Sequence, residues 1–169
     1  IYEWQNITKK KPLHKQIGII FYAFSLYSAF YFRENYGLDF FLFIILICVS
    51  TDVGGYTFGK IFKGPKLTQI SPKKTYAGMI GSFLLAIITG YLYSKFAHEN
   101  EISQFEILLS IFLISFLSQI GDLIISYFKR KAEIKNTGNI IPGHGGILDR
   151  IDGLIFVFLI LYLLNFVYI

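Results

Sequence analysis

The residues best suited to chemistry are concentrated between positions 126 and 152. This stretch contains a Pro-Gly-His-Gly-Gly turn at 142–146, and Asp149 and Asp152 follow the turn, three residues apart. Fixed cations and glycine backbone N–H groups bind anions, whereas a carboxylate beside an anion needs a bridging cation. Because apolar segments flank the stretch, it predicts a site for a highly anionic ligand at a membrane surface. The cations in the stretch are Lys129, Arg130, Lys131, Lys135 and Arg150.

Two further aspartates, Asp52 and Asp122, lie near the ends of apolar segments, where an unpaired carboxylate is costly. A stripe of polar residues accompanies Asp122 at helical spacing, so Asp122 is expected to face protein or water. Glycines surround Asp52, and helix packing alone could explain them but does not explain the aspartate. The stripe comprises Ser115, Ser118, Gln119, Ser126 and Lys129, and the glycines are Gly54, Gly55 and Gly59.

Carboxylates from two segments beside a basic loop suggest Mg²⁺ holding a polyphosphate, with Asp122 and Asp149 as the leading candidates. Asp152 is open to a second interpretation, because an aspartate in the first turn of a helix also offsets the helix dipole. His144 could act as a base, contact a phosphate or fill the turn. No serine or cysteine nucleophile with a base is evident, which favours direct displacement on phosphorus.

The composition predicts an all-α integral membrane protein, since 54% of the 169 residues are hydrophobic and the mean hydropathy is +0.54. Five apolar segments are expected to cross the bilayer, and Cys48 within the second is expected to be a buried structural thiol. We expect a single polytopic domain over residues 1–169. Because the chain begins with Ile1 and its only methionine is Met79, it is expected to be the C-terminal part of a longer chain. The segments are residues 17–32, 38–58, 76–93, 107–127 and 151–169.

The cations predict the orientation. All sixteen lysines and arginines except Arg33 and Lys95 fall before the first segment, after the second or after the fourth. By the positive-inside rule these regions are cytoplasmic, which places the N-terminus inside and the C-terminus outside. The expected location is therefore the cytoplasmic membrane, with the site on the cytoplasmic face, where nucleotides are available.

The loop after the second segment contains the motif Ser71-Pro72-Lys73-Lys74-Thr75, followed by Gly78. Lysines and hydroxyls at the start of a helix favour phosphate binding. A basic cytoplasmic loop is equally often a topology signal or a contact for anionic lipid, so this loop alone does not decide between these interpretations.

Taken together, these motifs resemble the phosphatidate cytidylyltransferases, or CDP-diacylglycerol synthases. The resemblance extends from about residue 44 to the C-terminus, while the preceding residues match only as apolar membrane segments. One group of matching residues is Ser126, Lys129, Arg130, Lys135, Gly138, Pro142, His144, Gly145, Gly146, Asp149, Arg150 and Asp152. The upstream matches are Gly121-Asp122-Leu123, Asp52-x-Gly54-x-Tyr56 and the Ser71–Gly78 motif.

The resemblance implies transfer of CMP from CTP to phosphatidic acid, which gives CDP-diacylglycerol and pyrophosphate with Mg²⁺ and, as an option, a second cation. The implied partners are CTP and phosphatidic acid, with no DNA or RNA, and a homodimer is compatible with the glycine faces. The implied metal ligands are Asp122 and Asp149, with Asp152 and Asp52 as weaker candidates. The implied catalytic residues also include Lys129, Arg130, Arg150 and His144. The implied substrate-binding residues are Ser71, Lys73, Lys74, Thr75, Ser126, Lys135, Gly145 and Gly146.

The chain departs from the family pattern at Asn136, where an aspartate is usual. The substitution keeps an oxygen acceptor but loses a charge, which is compatible with a less active or inactive relative. Two further candidate functions are a related CTP-dependent enzyme acting on an isoprenoid lipid and a non-catalytic ion-binding or transport protein. Against transport, the polar residues gather at the segment ends instead of lining the full depth of the membrane.

Overall fold

The computed structural model describes Trp4, residues 12–68, Ser71, 74–97, 103–131, 133–134, Thr137, Gly146 and 148–167; the side chains at 12–15, 150, 166 and 167 are not described. The described chain is helical and contains no β-strand, which confirms the all-α prediction. The helices, numbered here in chain order, are α1 (Pro12–Phe62), α2 (Tyr76–Phe96), α3 (Gln104–Lys131) and α4 (Leu148–Val167).

Helix α1 is broken at Gly37, whose φ of 84° and ψ of 174° are accessible to glycine but not to other residues without strain. The break divides α1 into a first arm, residues 12–36, and a second arm, residues 38–62. Phe32 before the break and Phe41 after it both pack on Phe158 of α4, with ring centroids 6.2 and 5.3 Å apart. The two arms therefore fold back on one another as a hairpin.

The second arm and α2 lie antiparallel and close together along a seam of small residues. Gly54 of the arm faces the Gly81 carbonyl, Gly55 faces Ser82, and Gly59 faces Gly78. The Ser82 hydroxyl donates to the carbonyl of Thr51 across this seam at 2.8 Å. Small residues allow helix backbones to approach in a membrane, where van der Waals packing drives association. The packing interpretation of these glycines holds, and the contacts lie within the chain.

We expect Gly54→Ala to destabilise the protein strongly, because the new Cβ would lie 2.5 Å from the Gly81 carbonyl oxygen and 3.0 Å from the Ser82 Cα. Backbone atoms cannot rotate away, so the helices must separate, and we expect a cost near the upper end of the roughly 1–3 kcal/mol typical of overpacking. The measurement is the thermal unfolding midpoint in detergent. Gly59→Ala is the matched control, because its Cβ would meet the Thr75 hydroxyl at 3.2 Å. Equal midpoints for the two variants would contradict the expectation.

The helices form a multi-pass membrane protein. Among the described residues, three segments are long and apolar enough to cross a bilayer: Gln16–Phe62, Tyr76–Phe96 and Gln104–Lys131. A shorter apolar segment covers Ile151–Asn165. The interior of the bundle is apolar and includes Phe43, Ile44, Ile47, Cys48, Ala86, Ile111, Ile114 and Val157. Cys48 is buried, as expected for a structural thiol.

Candidate active site

The polar motifs meet at one end of the helix bundle. Lys74, just before α2, contacts Asp122 near the end of α3, and Lys129 of α3 contacts Asp149 at the start of α4. At the opposite end, the hydroxyl of Tyr93 donates to the Asp39 carbonyl. The antiparallel packing of the second arm on α2 brings Asp52 to the same end as Lys74. Residues from the loop before α2 and from three helices therefore contribute to one site.

Lys74 makes an ion pair with Asp122, with its Nζ 2.5 Å from the Asp122 Oδ2. The loop fixes the Lys74 backbone, because its N–H donates to the Ser71 carbonyl at 3.0 Å and its carbonyl accepts from Leu67 N at 2.8 Å. The Ser126 hydroxyl donates to the other Asp122 oxygen at 3.3 Å. Lys74, which was expected to bind phosphate, therefore pairs with Asp122, which was expected to bind metal. Both side chains remain partly exposed.

Thr75 has a structural role that the sequence did not predict. It is the N-cap of α2, and its hydroxyl accepts a hydrogen bond from Gly78 N at 3.1 Å. A cap of this kind satisfies one of the free N–H groups at a helix start. It also fixes the start of α2 directly beside Lys74. Thr75 therefore supports the site whether or not it touches substrate.

Lys129 lies between two carboxylates of α4. Its Nζ is 2.9 Å from the Asp149 Oδ1 and 3.6 Å from the Asp152 Oδ2, and all three side chains are at most 11% exposed. A buried charge is costly unless it is paired and hydrogen-bonded, so this arrangement fixes α3 relative to α4. Arg130 points outward, and its guanidinium donates to the Ile134 carbonyl at 3.3 Å.

Asp149 is the most heavily hydrogen-bonded carboxylate among those described. Its Oδ2 accepts from Thr137 N at 3.0 Å and from Gly146 N at 2.9 Å, while its Oδ1 accepts from Lys129. Partial burial opposes its ionisation, but the hydrogen bonds from Gly146, Lys129 and Thr137 outweigh burial and lower the pKa of Asp149 below its ordinary value. Asp149 therefore stays charged at neutral pH and connects the backbone at Thr137 and Gly146 to Lys129 of α3.

Asp152 is buried and lies close enough to Asp122 and Asp52 to be repelled by both. Gly153 N donates to it at 3.0 Å. Asp52 itself lies on an exposed part of the second arm. Carboxylates from three helices thus concentrate negative charge at one place, and Lys74 and Lys129 offset part of it.

The donor chemistry of this group fits a hard divalent cation, because carboxylate oxygens are the ligands that Mg²⁺ prefers. Within the described ranges, no three carboxylate, histidine or cysteine side chains are arranged as a ready-made ligand set. Instead, lysine ammonium groups lie against Asp122 and Asp149. A cation entering here would have to exchange with a lysine, which would free that lysine for a phosphate.

Several predicted site residues lie outside the described residues: Lys73, Lys135, His144, Gly145 and the side chain of Arg150, together with Asn136. Three described residues at the site were not predicted to belong to it: Thr137, Gln119 and Trp4. The Gln119 Nε2, one turn from Asp122, is buried and has no hydrogen-bond partner among the described residues, and Trp4 packs beside the end of α3. The polar stripe on α3 was a signal for Gln119, whereas no sequence pattern indicated Trp4.

Comparison with known proteins agrees with this arrangement. Residues 5–168 match a family model described as the cytidylyltransferase family. A phosphatidate cytidylyltransferase from Rickettsia conorii is 38% identical over 96% of this chain and 74% of its own length. The Rickettsia bellii protein of the same name is 37% identical over 98% of this chain and 75% of its own length.

A third relative, the phosphatidate cytidylyltransferase of Bacillus subtilis, is 39% identical over 78% of this chain and 49% of its own length. The family match begins at residue 5, so it includes the first arm as well as the polar motifs. The chain belongs to the cytidylyltransferase family.

Proposed function

We propose that this chain is a phosphatidate cytidylyltransferase, which transfers CMP from CTP to phosphatidic acid and releases pyrophosphate. The observation that carries this proposal is the meeting of Lys74, Asp122, Lys129 and Asp149 at one end of a membrane helix bundle. The relatives from Rickettsia and Bacillus are named phosphatidate cytidylyltransferases. An enzyme joining a lipid to a nucleotide requires such a polar site at a membrane surface.

In the reaction, a phosphate oxygen of phosphatidic acid attacks the α-phosphorus of CTP, and the bond from that phosphorus to the bridging oxygen of the β-phosphate breaks. Pyrophosphate leaves with the electrons of that bond. Two anionic reactants must approach each other, so fixed cations lower the barrier by offsetting their repulsion. Lys74 and Lys129, which meet the carboxylates at this end of the bundle, are the lysines proposed to do this. The buried Gln119 Nε2, one turn from Asp122, has no hydrogen-bond partner in the described part of the chain, so it is a donor that a substrate oxygen could satisfy.

Mg²⁺ is the expected cofactor, held by Asp122 and Asp149, with Asp152 and Asp52 as further donors, and a second cation is an option. When bound, the metal would neutralise phosphate charge. Lys135, Arg130 and Arg150 would contribute further positive charge around the phosphates. Ser71, Lys73, Thr75, Ser126, His144, Gly145 and Gly146 complete the proposed set of catalytic and substrate-binding residues.

The proposed topology has five crossings, with the N-terminus and the site in the cytoplasm. The apolar segment in α1 is 47 residues long, which at 1.5 Å per residue is about 70 Å, more than twice the roughly 30 Å of a bilayer core. The break at Gly37 lets the two arms of α1 cross separately. The concentration of lysines and arginines at the site end supports a cytoplasmic location.

The proposed partners are the two substrates, without DNA or RNA. A homodimer remains compatible with this topology, but the glycines that could have supported it face α2 of the same chain. A dimer would therefore need another surface.

The direct test is an assay of purified protein with labelled CTP and a panel of lipid acceptors. We expect pyrophosphate release and a CDP-lipid product with phosphatidic acid, and neither product without a lipid. An ether-linked isoprenoid phospholipid and a polyprenol are the competing acceptors. Turnover only with one of those would reassign the substrate, and no nucleotide turnover with any lipid would favour a transport function instead.

A further inference from the structure

We propose that Trp4 is a positioning residue, which holds the end of α3 against the start of α4 and so keeps Lys129 between Asp149 and Asp152. Trp4 is distant in the sequence from every polar motif. Its link to catalysis rests on the proposed function, whereas its effect on the geometry of the site does not. The inference depends on where its indole ring lies.

The indole of Trp4 is tightly enclosed, since the residue is only 5% exposed. It packs on Gly18 of the first arm so closely that a Cβ there would be 1.7 Å from the indole nitrogen. The position therefore accepts the large ring only because residue 18 is glycine. Such a fit indicates a defined docking position for Trp4.

The ring contacts two aromatic residues on different helices. The centroids of Trp4 and Tyr22 in the first arm are 5.5 Å apart, and those of Trp4 and Phe128 in α3 are 5.9 Å apart, both edge-on. Edge-on aromatic pairs contribute about 0.5–1.5 kcal/mol beyond the area they bury. Trp4 thus connects the first arm to the last turn of α3.

The same apolar cluster contains residues that neighbour the charged ones in sequence. Ile125, Leu148 and Ile155 belong to the buried part of the cluster, with Phe128, Ile134 and Ile151 packed against it. Phe128 directly precedes Lys129, Leu148 precedes Asp149, and Ile151 precedes Asp152. The cluster therefore lies at the same level of α3 and α4 as the Lys129 ion pairs and packs together the two helices that supply them.

The ion pairs tolerate little movement. Lys129 Nζ is already 3.6 Å from Asp152, and a shift of about 1 Å would take it beyond the 4 Å range of an ion pair. The Lys129 carbonyl also accepts from Ile134 N at 3.0 Å, which fixes the turn after α3. A displacement of Phe128 would thus reach Lys129, Asp149 and the amides that bind Asp149.

The test measures hydrogen exchange of the Thr137 and Gly146 amides, both of which donate to Asp149, in Trp4→Ala, Trp4→Leu and Trp4→Phe. We expect exchange at these amides to rise about tenfold in the first two variants, since weaker protection follows from local opening. Trp4→Phe retains an aromatic ring and should restore most of the protection. Trp4→Leu keeps the position apolar if Trp4→Ala does not fold.

Tyr31→Ala is the matched control, because it removes an aromatic contact between the first arm and α4 at the opposite end, where Tyr31 and Tyr162 are 4.9 Å apart. It should leave exchange at Thr137 and Gly146 unchanged. Equal rises in Tyr31→Ala and Trp4→Leu would show general loosening and overturn the proposal. Unchanged exchange in Trp4→Leu would overturn it as well.

A second measurement connects Trp4 to function through CTP affinity. Misplacement of a group that contacts the substrate by about 1 Å can cost on the order of 100-fold in rate. Part of such a loss arises in binding, so we expect CTP affinity to fall by about tenfold in Trp4→Leu. In a Lys129→Met background Trp4→Leu should have little additional effect, because the residue through which it acts is gone. Additive losses would contradict positioning through Lys129. If the wild-type protein neither binds nor turns over CTP, the proposed function fails while the exchange result still decides the role of Trp4.

Discussion

Asp122→Asn is expected to lower turnover by at least about 100-fold while the protein remains folded, because removing one group that stabilises transition-state charge typically costs that much. The substitution keeps the size of the side chain but removes the charge that pairs with Lys74 at 2.5 Å. It also removes one of the carboxylates proposed to hold Mg²⁺. The measurement is CDP-lipid formation at saturating CTP and phosphatidic acid, with thermal unfolding in detergent as the check on folding.

Asp39→Asn is the matched control for Asp122→Asn, since it makes the same chemical change at the opposite end of the bundle. The Asp39 side chain is exposed, and its backbone carbonyl, which accepts from Tyr93, is unaffected. We expect wild-type turnover for it. Near-normal turnover in Asp122→Asn would remove Asp122 from the catalytic site. A loss that Lys74→Met reproduces fully would indicate that Asp122 acts mainly by placing Lys74.

The sequence predicted the helical fold and the grouping of the polar motifs because both follow from simple patterns. Long apolar segments can satisfy their backbone groups in lipid only as helices. Asp122 lies on a polar stripe, so its inward orientation was predictable. The position of the break in helix α1, at Gly37, was harder to predict. The charged residues Arg33 and Glu34 suggested that a loop already began there. In the structure both residues continue the helix, and they pair with each other on its exposed surface.

The pairing within the site could not be predicted from residue types. Lysines suit phosphates and aspartates suit metals, so Lys74 and Asp122 were assigned to different ligands. The structure instead places them against each other, and it does the same with Lys129 and Asp149. Opposite charges pair with each other when helix packing brings them within about 4 Å. Which partners meet depends on helix packing, and packing in turn depends on contacts such as those of Trp4.

We expect substitution of Asp149 to lower turnover as strongly as substitution of Asp122, for a different physical reason. In Asp149→Asn the amide has one oxygen and one NH₂ group, whereas the native carboxylate accepts on both sides. Thr137 N and Gly146 N donate to one oxygen and Lys129 to the other. Whichever way the amide turns, its NH₂ faces a donor. A buried donor left without an acceptor costs about 1–3 kcal/mol, more when it is charged.

We therefore expect Asp149→Asn to abolish detectable turnover and to raise hydrogen exchange at Thr137 and Gly146, because no orientation of the amide restores all three hydrogen bonds. Glu133→Gln is the matched control, since it neutralises an exposed carboxylate in the turn after α3 and should retain wild-type activity. Lost turnover with unchanged exchange would mean that Asp149 acts through its charge alone, as a metal ligand would. Lost turnover with raised exchange would mean that it also fixes the backbone at Thr137 and Gly146. Normal turnover would remove Asp149 from the catalytic site, and its contacts with Lys129, Thr137 and Gly146 would then be structural only.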